Sequence, residues 1–523
     1  MNKSIRNRPL ALIQQALTAI FLIAIVPASH AQPSVNAVRL PTLGDGGEMS
    51  AGAERRLGDV IARELYRDTD YIDDPQLQEY AEATWQALMA AARARGEISP
   101  ALAEHFAFTV LLGRDRSVNA FALPGGYMAV NLGLLGVVST PDELASVLAH
   151  ELSHISQRHI ARLIGREKRM TPLMMGAMVL GILAASKNPE AAQAVAITGQ
   201  ALTIQGQLNF TRDMEREADR VGLGLMAPAG FSPAGFVTMF EKLEQASRIN
   251  DNGSWPYLRS HPLTTQRIAD MQSRQRAQPA LGVGAPDGFS AAAHALLAAR
   301  ARVLSQPGVE VLQQWAQRPT GMGFASASPA ERAQALYAGA LAASELRDTA
   351  LAQRWLAALQ PLAAGDAAAA RQVRLLGADI ALRAQQPAEA LKALSGPENA
   401  ENAALRPELL LRAQALLALG RAQEVAGNLQ TWVLRNPADA TAWQTLASHW
   451  HQQGQTLRAV RAEGEARAAQ YDFAAAVDRF KAGQSLAAQS GAQVDYVEAS
   501  IIDSRLRQAQ SLLKAQTAER LER

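Results

Sequence analysis

The sequence predicts a mainly α protein in two parts: an α+β front half with a small edge sheet, followed by an all-α solenoid of helical repeats. Three observations carry this. Aromatic residues are only 5% of the 523, and alanine-rich stretches dominate the second half, which favours helix over sheet. Strand-like patterning is confined to residues 106–112 and 118–130. A 34-residue period runs through residues 406–473. A chain of this length exceeds one ordinary core, so two or three domains are expected.

Residues 1–31 read as a cleavable secretory signal. Lys3, Arg6 and Arg8 form its basic start, residues 17–26 its short apolar core, and Ser29-His30-Ala31 its small-residue cleavage site. The apolar run is well short of the ~20 residues that a retained membrane span needs. Export is therefore expected. Removing this stretch removes three cations and no anion, which takes the formal charge from +2 to −1. That balance excludes the electrostatic footprint of a nucleic-acid binder. The chain has no cysteine, so no disulfide holds the fold and any zinc site must be built from histidine and carboxylate.

Residues 32–49 are polar and Pro/Gly-rich and read as an extended arm. Helices are expected over 54–66 and 75–95, the second with a core stripe of Leu77, Tyr80, Ala81, Trp85, Leu88 and Met89. A strand is expected over 106–112. Two short strands, joined at Pro124-Gly125-Gly126, are expected over 118–130. Proline and glycine restrict such strands to a sheet edge, where an extended peptide can add as a further strand; a purely structural hairpin is the plainer alternative.

The next helix is announced by Thr140 as N-cap, Pro141 at the first helical position and Glu143 closing a capping box, with Gly165 as its expected stop. It carries His150-Glu151-Leu152-Ser153-His154. At 3.6 residues per turn, positions four apart share a face, so His150 and His154 can point at one metal ion with Glu151 beside them. A zinc ion held by two histidines and a third protein ligand keeps one position open for water. A neighbouring carboxylate can take that water's proton during attack on a peptide carbonyl. The alternative is a core helix that happens to carry two histidines.

Residues 170–185 form the most apolar run after the signal, followed by a milder one over 191–208. Being shorter than a span, the first suggests a buried hairpin; its methionines and glycines would also suit contact with a membrane or an unfolded client. Beyond it, Glu215 and Asp219 lie four apart on a helix. Glu215 can be the third zinc ligand, and Asp219 can accept a hydrogen bond from the far nitrogen of a ligand histidine, while Glu217 points elsewhere. Ser232-Pro233 opens another helix, expected to end near Ser247. In Ser260-His261-Pro262 and the following Arg267, His261 and Arg267 can reach a developing oxyanion. Alternatively, His261 can occupy the open zinc position and hold the site inactive until its loop moves.

The order of these motifs, from Asn119-Ala120-Phe121-Ala122-Leu123-Pro124-Gly125-Gly126 through the metal helix, Thr211-Arg212 with Glu215, Glu217 and Asp219, Ala229-Gly230-Phe231-Ser232-Pro233 and His261 with Arg267, resembles that of the M48 zinc metallopeptidases. The resemblance covers residues 54–272 and implies a zincin-like α+β metallopeptidase domain. It implies one zinc ion per chain on His150, His154 and Glu215, Glu151 as general base, Asp219 supporting the ligands, and a regulatory loop bearing His261. A signal and a helical repeat region set the chain apart from membrane-embedded members and make it similar to exported ones of the Gram-negative periplasm that act in outer-membrane β-barrel assembly.

Residues 274–288, rich in proline and glycine, read as a linker between a peptidase domain (32–273) and a repeat domain (289–523). Leu409, Ala413, Leu416, Gly420 and Val425 recur 34 residues later as Trp443, Ala447, Trp450, Gly454 and Ala459, and Pro437 falls where a tetratricopeptide (TPR) unit ends. A third unit begins at Ala474. Leu375, Leu382 and Leu391 suggest another unit before residue 406, and earlier than that the period drifts to about 38. Stacked units would make a curved surface suited to extended peptide or a partner protein. These features predict a periplasmic zinc endopeptidase whose repeats recruit clients or a partner; the resemblance implies misfolded or misassembled outer-membrane proteins as the clients and the β-barrel assembly machinery as the partner. The competing reading is a chaperone or scaffold for such proteins with a latent protease site.

Overall fold

The structure, a computed structural model, describes residues 49–166, 211–248, 255–277, 290–305, 308–395, 405–489 and 495–521. The signal stretch, nearly all of the arm, the apolar runs at 170–185 and 191–208, and most of the 274–288 stretch lie outside the described residues.

Helix α1 (Ala51–Arg67) starts where the Ser50 hydroxyl accepts from Ala53 N, and α2 (Pro75–Ala94) where the Asp74 carboxylate accepts from Leu77 N. The stripe expected on α2 is buried throughout. After α3 (Pro100–His105) the first strand begins at Thr109 rather than Phe106. Phe108 has φ 47°, a left-handed conformation that keeps the chain out of an extended ladder until it has passed. The sheet has β1 (Thr109–Gly113) at one edge, β3 (Tyr127–Asn131) in the centre and β2 (Ala120–Leu123) at the other edge. β3 runs parallel to β1, Thr109 opposite Tyr127, and antiparallel to β2, Phe121 opposite Ala129. A single 3₁₀ turn, Pro124–Gly126, joins β2 to β3. Gly125 in it has φ 71°, and a Cβ there would fall 2.7 Å from Arg55 Cα, so only glycine fits.

After α4 (Leu132–Val137) comes the metal helix α5 (Pro141–Ser156), capped by Thr140, whose hydroxyl accepts from Glu143 N at 3.1 Å. The expected capping box does not close. Glu143 Oε2 instead accepts from Ser139 N at 2.7 Å and from Lys242 Nζ at 2.5 Å, an ion pair that engages it one residue before the cap. The helix also ends before Gly165. Arg158 takes φ 53°, held by Nε donating to Glu54 Oε2 at 3.1 Å, and a separate helix α6 (His159–Arg166) sets off in a new direction. Helices α7 (Arg212–Met226) and α8 (Ala234–Arg248), with α2, enclose α5 so that nearly every one of its side chains is buried. Gly222 is what lets α7 approach: a Cβ there would meet the Ala149 backbone at 3.1 Å and Phe236 Cζ at 3.0 Å. The short α9 (Tyr257–Ser260) and α10 (Thr265–Ala277) follow, the latter running into the stretch read as linker.

Beyond residue 290 the described residues are helical. One apolar core runs from Ile72 through Leu148, Leu223 and Leu297 to Ile380, so the helices 291–383 pack into the same interior as the metal helix. Arg300, on the helix Ala291–Leu304, is buried and donates to both Asp74, at the start of α2, and Asp379. Helix pairs begin at Pro329, Ala367, Arg406, Ala440 and Phe473; Arg406 and Ala440 are 34 residues apart, as the period predicts, and Phe473 falls one residue before the expected Ala474. Gly420 and Gly454, one period apart, each turn the chain between paired helices with φ 72° and 70°. The solenoid is tied to the front half at several points: Arg371 bridges Glu79 and Glu408, Arg406 bridges Asp73 and Asp439, and the Tyr471 hydroxyl meets that of Tyr127 at 2.5 Å. Such half-buried pairs fix register more than they add stability. Among the described residues no helix is long and apolar enough to cross a membrane.

Candidate active site

Helical spacing brings His150 and His154 onto the face of α5 that looks at α7, and the close approach at Gly222 brings Glu215 and Asp219 to meet them. His261 enters from the C-terminal end of α9, its ring stacked on Tyr257 with centroids 4.6 Å apart. Four ligand atoms converge. His150 Nε2 and His154 Nε2 are 3.0 Å apart, His154 Nε2 and Glu215 Oε1 3.4 Å, His261 Nδ1 and Glu215 Oε1 3.0 Å, and His150 Nε2 and His261 Nδ1 3.3 Å. Each of these residues is at most 2% exposed.

The donors suit zinc. Four atoms arranged tetrahedrally at about 2.0–2.1 Å from one ion stand about 3.3 Å from each other, which is the spacing found here. Three imidazoles and a carboxylate are a donor set that a borderline cation takes readily, and among the described residues this is the group of four that can hold a metal.

The local charges agree. Burial works to raise the Glu215 carboxyl, but His261, His150 and His154 around it hold it well below the usual carboxylate range. Burial works to lower His150, and the Asp219 and Glu215 carboxylates overcome it, raising the ring to about 10. Burial works to lower His154 as well, and with His150 and His261 repelling a charge there the ring is held well below its ordinary value. The carboxylates thus create a field that favours positive charge at the point where the four ligand atoms meet.

Glu151 lies beside this group with no exposed surface. Its Oε2 accepts from Ala122 N of edge strand β2 at 2.9 Å, while Oε1 has no aligned donor and stands 3.4 Å from His261 Nε2. Asp219 Oδ1 comes within 2.9 Å of His150 Nδ1, a close approach rather than an aligned bond. Arg267 is placed otherwise than the sequence suggested. Nε and Nη2 donate to the two Asp219 oxygens at 2.7 and 2.8 Å, and Nη1 donates to Pro262 O at 2.9 Å and lies 2.8 Å from Glu215 Oε2. Its guanidinium, above the Phe240 ring, is directed at the acids behind the cluster rather than at the space beside Glu151.

Three partners were not apparent in the sequence. The Ala122 amide became one only through the β2–α5 packing. Tyr257 gave no signal beyond standing in a loop. His159 faces the far nitrogen of His154 at 2.8 Å and is held neutral, burial pushing it down to about 4 against the pull of Glu217.

The family model for peptidase family M48 matches residues 76–275, the span that contains every one of these side chains. The chain is 31% identical over 488 residues to the beta-barrel assembly-enhancing protease of Escherichia coli (strain K12), which covers 91% of this chain and 94% of that protein. The chain belongs to peptidase family M48. Two further relatives match less of it. The putative beta-barrel assembly-enhancing protease of Vibrio cholerae serotype O1 is 35% identical over 266 residues, 50% of this chain and 53% of that protein. The mitochondrial metalloendopeptidase OMA1 of Arabidopsis thaliana is 33% identical over 164 residues, 31% of each. As an M48 member the chain is a metal-dependent peptidase, and the buried histidine–glutamate group stands where its metal belongs.

Proposed function

We propose that this M48 peptidase is a periplasmic zinc endopeptidase that hydrolyses misfolded or misassembled outer-membrane proteins. The observation that carries the catalytic half is the convergence of His150, His154, Glu215 and His261 beside a buried Glu151. The client and compartment follow from the signal-like N-terminus and from similarity to a beta-barrel assembly-enhancing protease. The division at 274–288 is on this reading one of task, with the TPR-like repeats recruiting clients or the β-barrel assembly machinery.

His150, His154 and Glu215 would hold the zinc, which when bound polarises a carbonyl and acidifies water. Edge strand β2 offers its free side to an extended substrate, which adds as a further strand and so presents its scissile carbonyl beside Glu151. Glu151, with Oε2 anchored by the Ala122 amide, takes the attacking water's proton on Oε1 and passes it to the leaving amine. Asp219 orients His150. Arg267 holds Asp219 and Glu215 in place rather than contacting an oxyanion.

His261 converges with the other three ligand residues and would fill the position that a catalytic zinc keeps open. On this reading its loop must withdraw before substrate enters. His261→Ala is expected to raise cleavage of an unfolded outer-membrane protein by about tenfold, the removal of a closed-state penalty near 1.4 kcal/mol. A drop in cleavage with metal retained would instead assign His261 to stabilising the oxyanion. The same closed ligand set favours one second reading, a chaperone or scaffold whose protease site is latent; Glu151→Gln supporting outer-membrane assembly as well as wild type would favour it.

A further inference from the structure

We propose that His159 is a positioning residue for the metal, fixing the His154 ring and tautomer and coupling that ligand to the Glu217–Arg162 ion pair. The proposal rests on the metal reading above and on a chain of contacts that the mechanism does not otherwise use. His159, with no exposed surface, places Nδ1 2.8 Å from His154 Nδ1. Its other nitrogen, Nε2, lies 3.1 Å from Glu217 Oε2, which also accepts from Arg162 Nη1 at 2.9 Å.

The proton positions follow from what each group can do. A carboxylate only accepts, so His159 Nε2 carries the hydrogen given to Glu217. Only one hydrogen fits between two nitrogens 2.8 Å apart, and a His154 that ligates through Nε2 carries its N–H on Nδ1, so His159 Nδ1 is the acceptor. His154 Nε2 is then left with a bare lone pair, directed at the point where His150, Glu215 and His261 converge. That is the form a metal ligand needs.

The local backbone is built for this contact. His159 is five residues after His154 and in a continuous helix would point away. The left-handed Arg158, tied to Glu54, ends α5 and lets the first residue of α6 turn its ring back beneath His154. The two histidines of the metal helix are thereby supported in parallel ways. His150 is backed directly by Asp219, which Arg267 holds; His154 is backed through an intervening imidazole by Glu217, which Arg162 holds. A histidine ligand whose far nitrogen meets a carboxylate is a more basic and better oriented donor, and losing such support costs metal affinity.

The test uses the full mature chain loaded with Co²⁺ in place of zinc, read by chelator competition and by the cobalt ligand-field absorption. His159→Leu should weaken Co²⁺ binding by about 10–100-fold and shift the absorption bands. His159→Asn, whose Oδ1 can take the place of Nδ1 as acceptor, should recover most of the affinity. Glu217→Gln, at a position 38% exposed where folding is not at stake, should weaken binding in the same direction by a smaller factor. Wild-type affinity and an unchanged spectrum in both His159→Leu and Glu217→Gln would overturn the proposal alone. If the wild-type chain itself bound no Co²⁺ or zinc at the cluster, the metal reading and this one would fall together.

Discussion

Glu151→Gln is expected to lower cleavage of an unfolded outer-membrane protein by about 10²–10⁴-fold, or about 3–5 kcal/mol of transition-state stabilisation, while leaving metal content and folding unchanged. The carboxamide has the shape of the carboxylate, and its oxygen can still accept from the Ala122 amide, so the link between α5 and edge strand β2 survives. What is lost is the basic oxygen Oε1, the one with no aligned hydrogen-bond donor. Because Glu151 is not among the four converging ligand residues, the variant separates proton transfer from metal binding. Parallel assays of cleavage, metal content and thermal unfolding on the two chains check this, and a Glu151→Gln chain that cleaves at the wild-type rate would remove Glu151 from the mechanism.

Arg267→Ala should have the largest effect on stability, about 3–5 kcal/mol, because it takes away the guanidinium that buried Asp219 and Glu215 share and leaves their charges to the neighbouring histidine rings. Asp219 is 1% exposed and Glu215 2%, and Arg267 serves both with a fork that lysine cannot reproduce. Burial alone would push the Asp219 carboxyl up, and the Arg267 guanidinium with His150 holds it below its ordinary value. A group depressed in this way contributes stability above the unfolded carboxyl value, and the contribution disappears as pH falls through the folded one. Urea unfolding at neutral pH should therefore show a lower midpoint for Arg267→Ala, and the gap from wild type should narrow in acid. Equal midpoints at neutral pH would mean that the acids find another partner. Arg267→Lys should recover only part of the loss.

What could be read from the sequence was what depends on local spacing. Thr140, Pro141 and the His150–His154 interval fix a capped helix with two imidazoles on one face, and Glu215 with Asp219 repeats that logic four residues apart. The 34-residue period likewise placed the helix pairs from Arg406 onward, down to the left-handed glycines Gly420 and Gly454. What could not be read depends on where the chain returns. Arg267 was expected at an oxyanion because a cation near an active site suggests one; its bidentate grip on Asp219, 48 residues away, exists only in the packed α7–α10 pair. His159 stayed hidden because nothing in its type announces that Arg158 will take a positive φ, and the stop expected at Gly165 masked the break. The Pro/Gly-rich stretch at 274–288 reads as a linker, and composition cannot express that one apolar core includes residues on both sides of it, from Ile72 to Ile380.

The most direct measurement is metal dependence on the purified chain from residue 32 onward: zinc content and cleavage of an unfolded outer-membrane protein before chelation, after it, and after one equivalent of zinc is returned. One zinc per chain is expected, with cleavage falling to background on stripping and recovering on return. A chain carrying His150→Ala, His154→Ala and Glu215→Ala should hold no zinc under any of these conditions. Cleavage that persists after the metal is gone, or zinc held as tightly by the triple variant as by wild type, would contradict a catalytic metal on these residues.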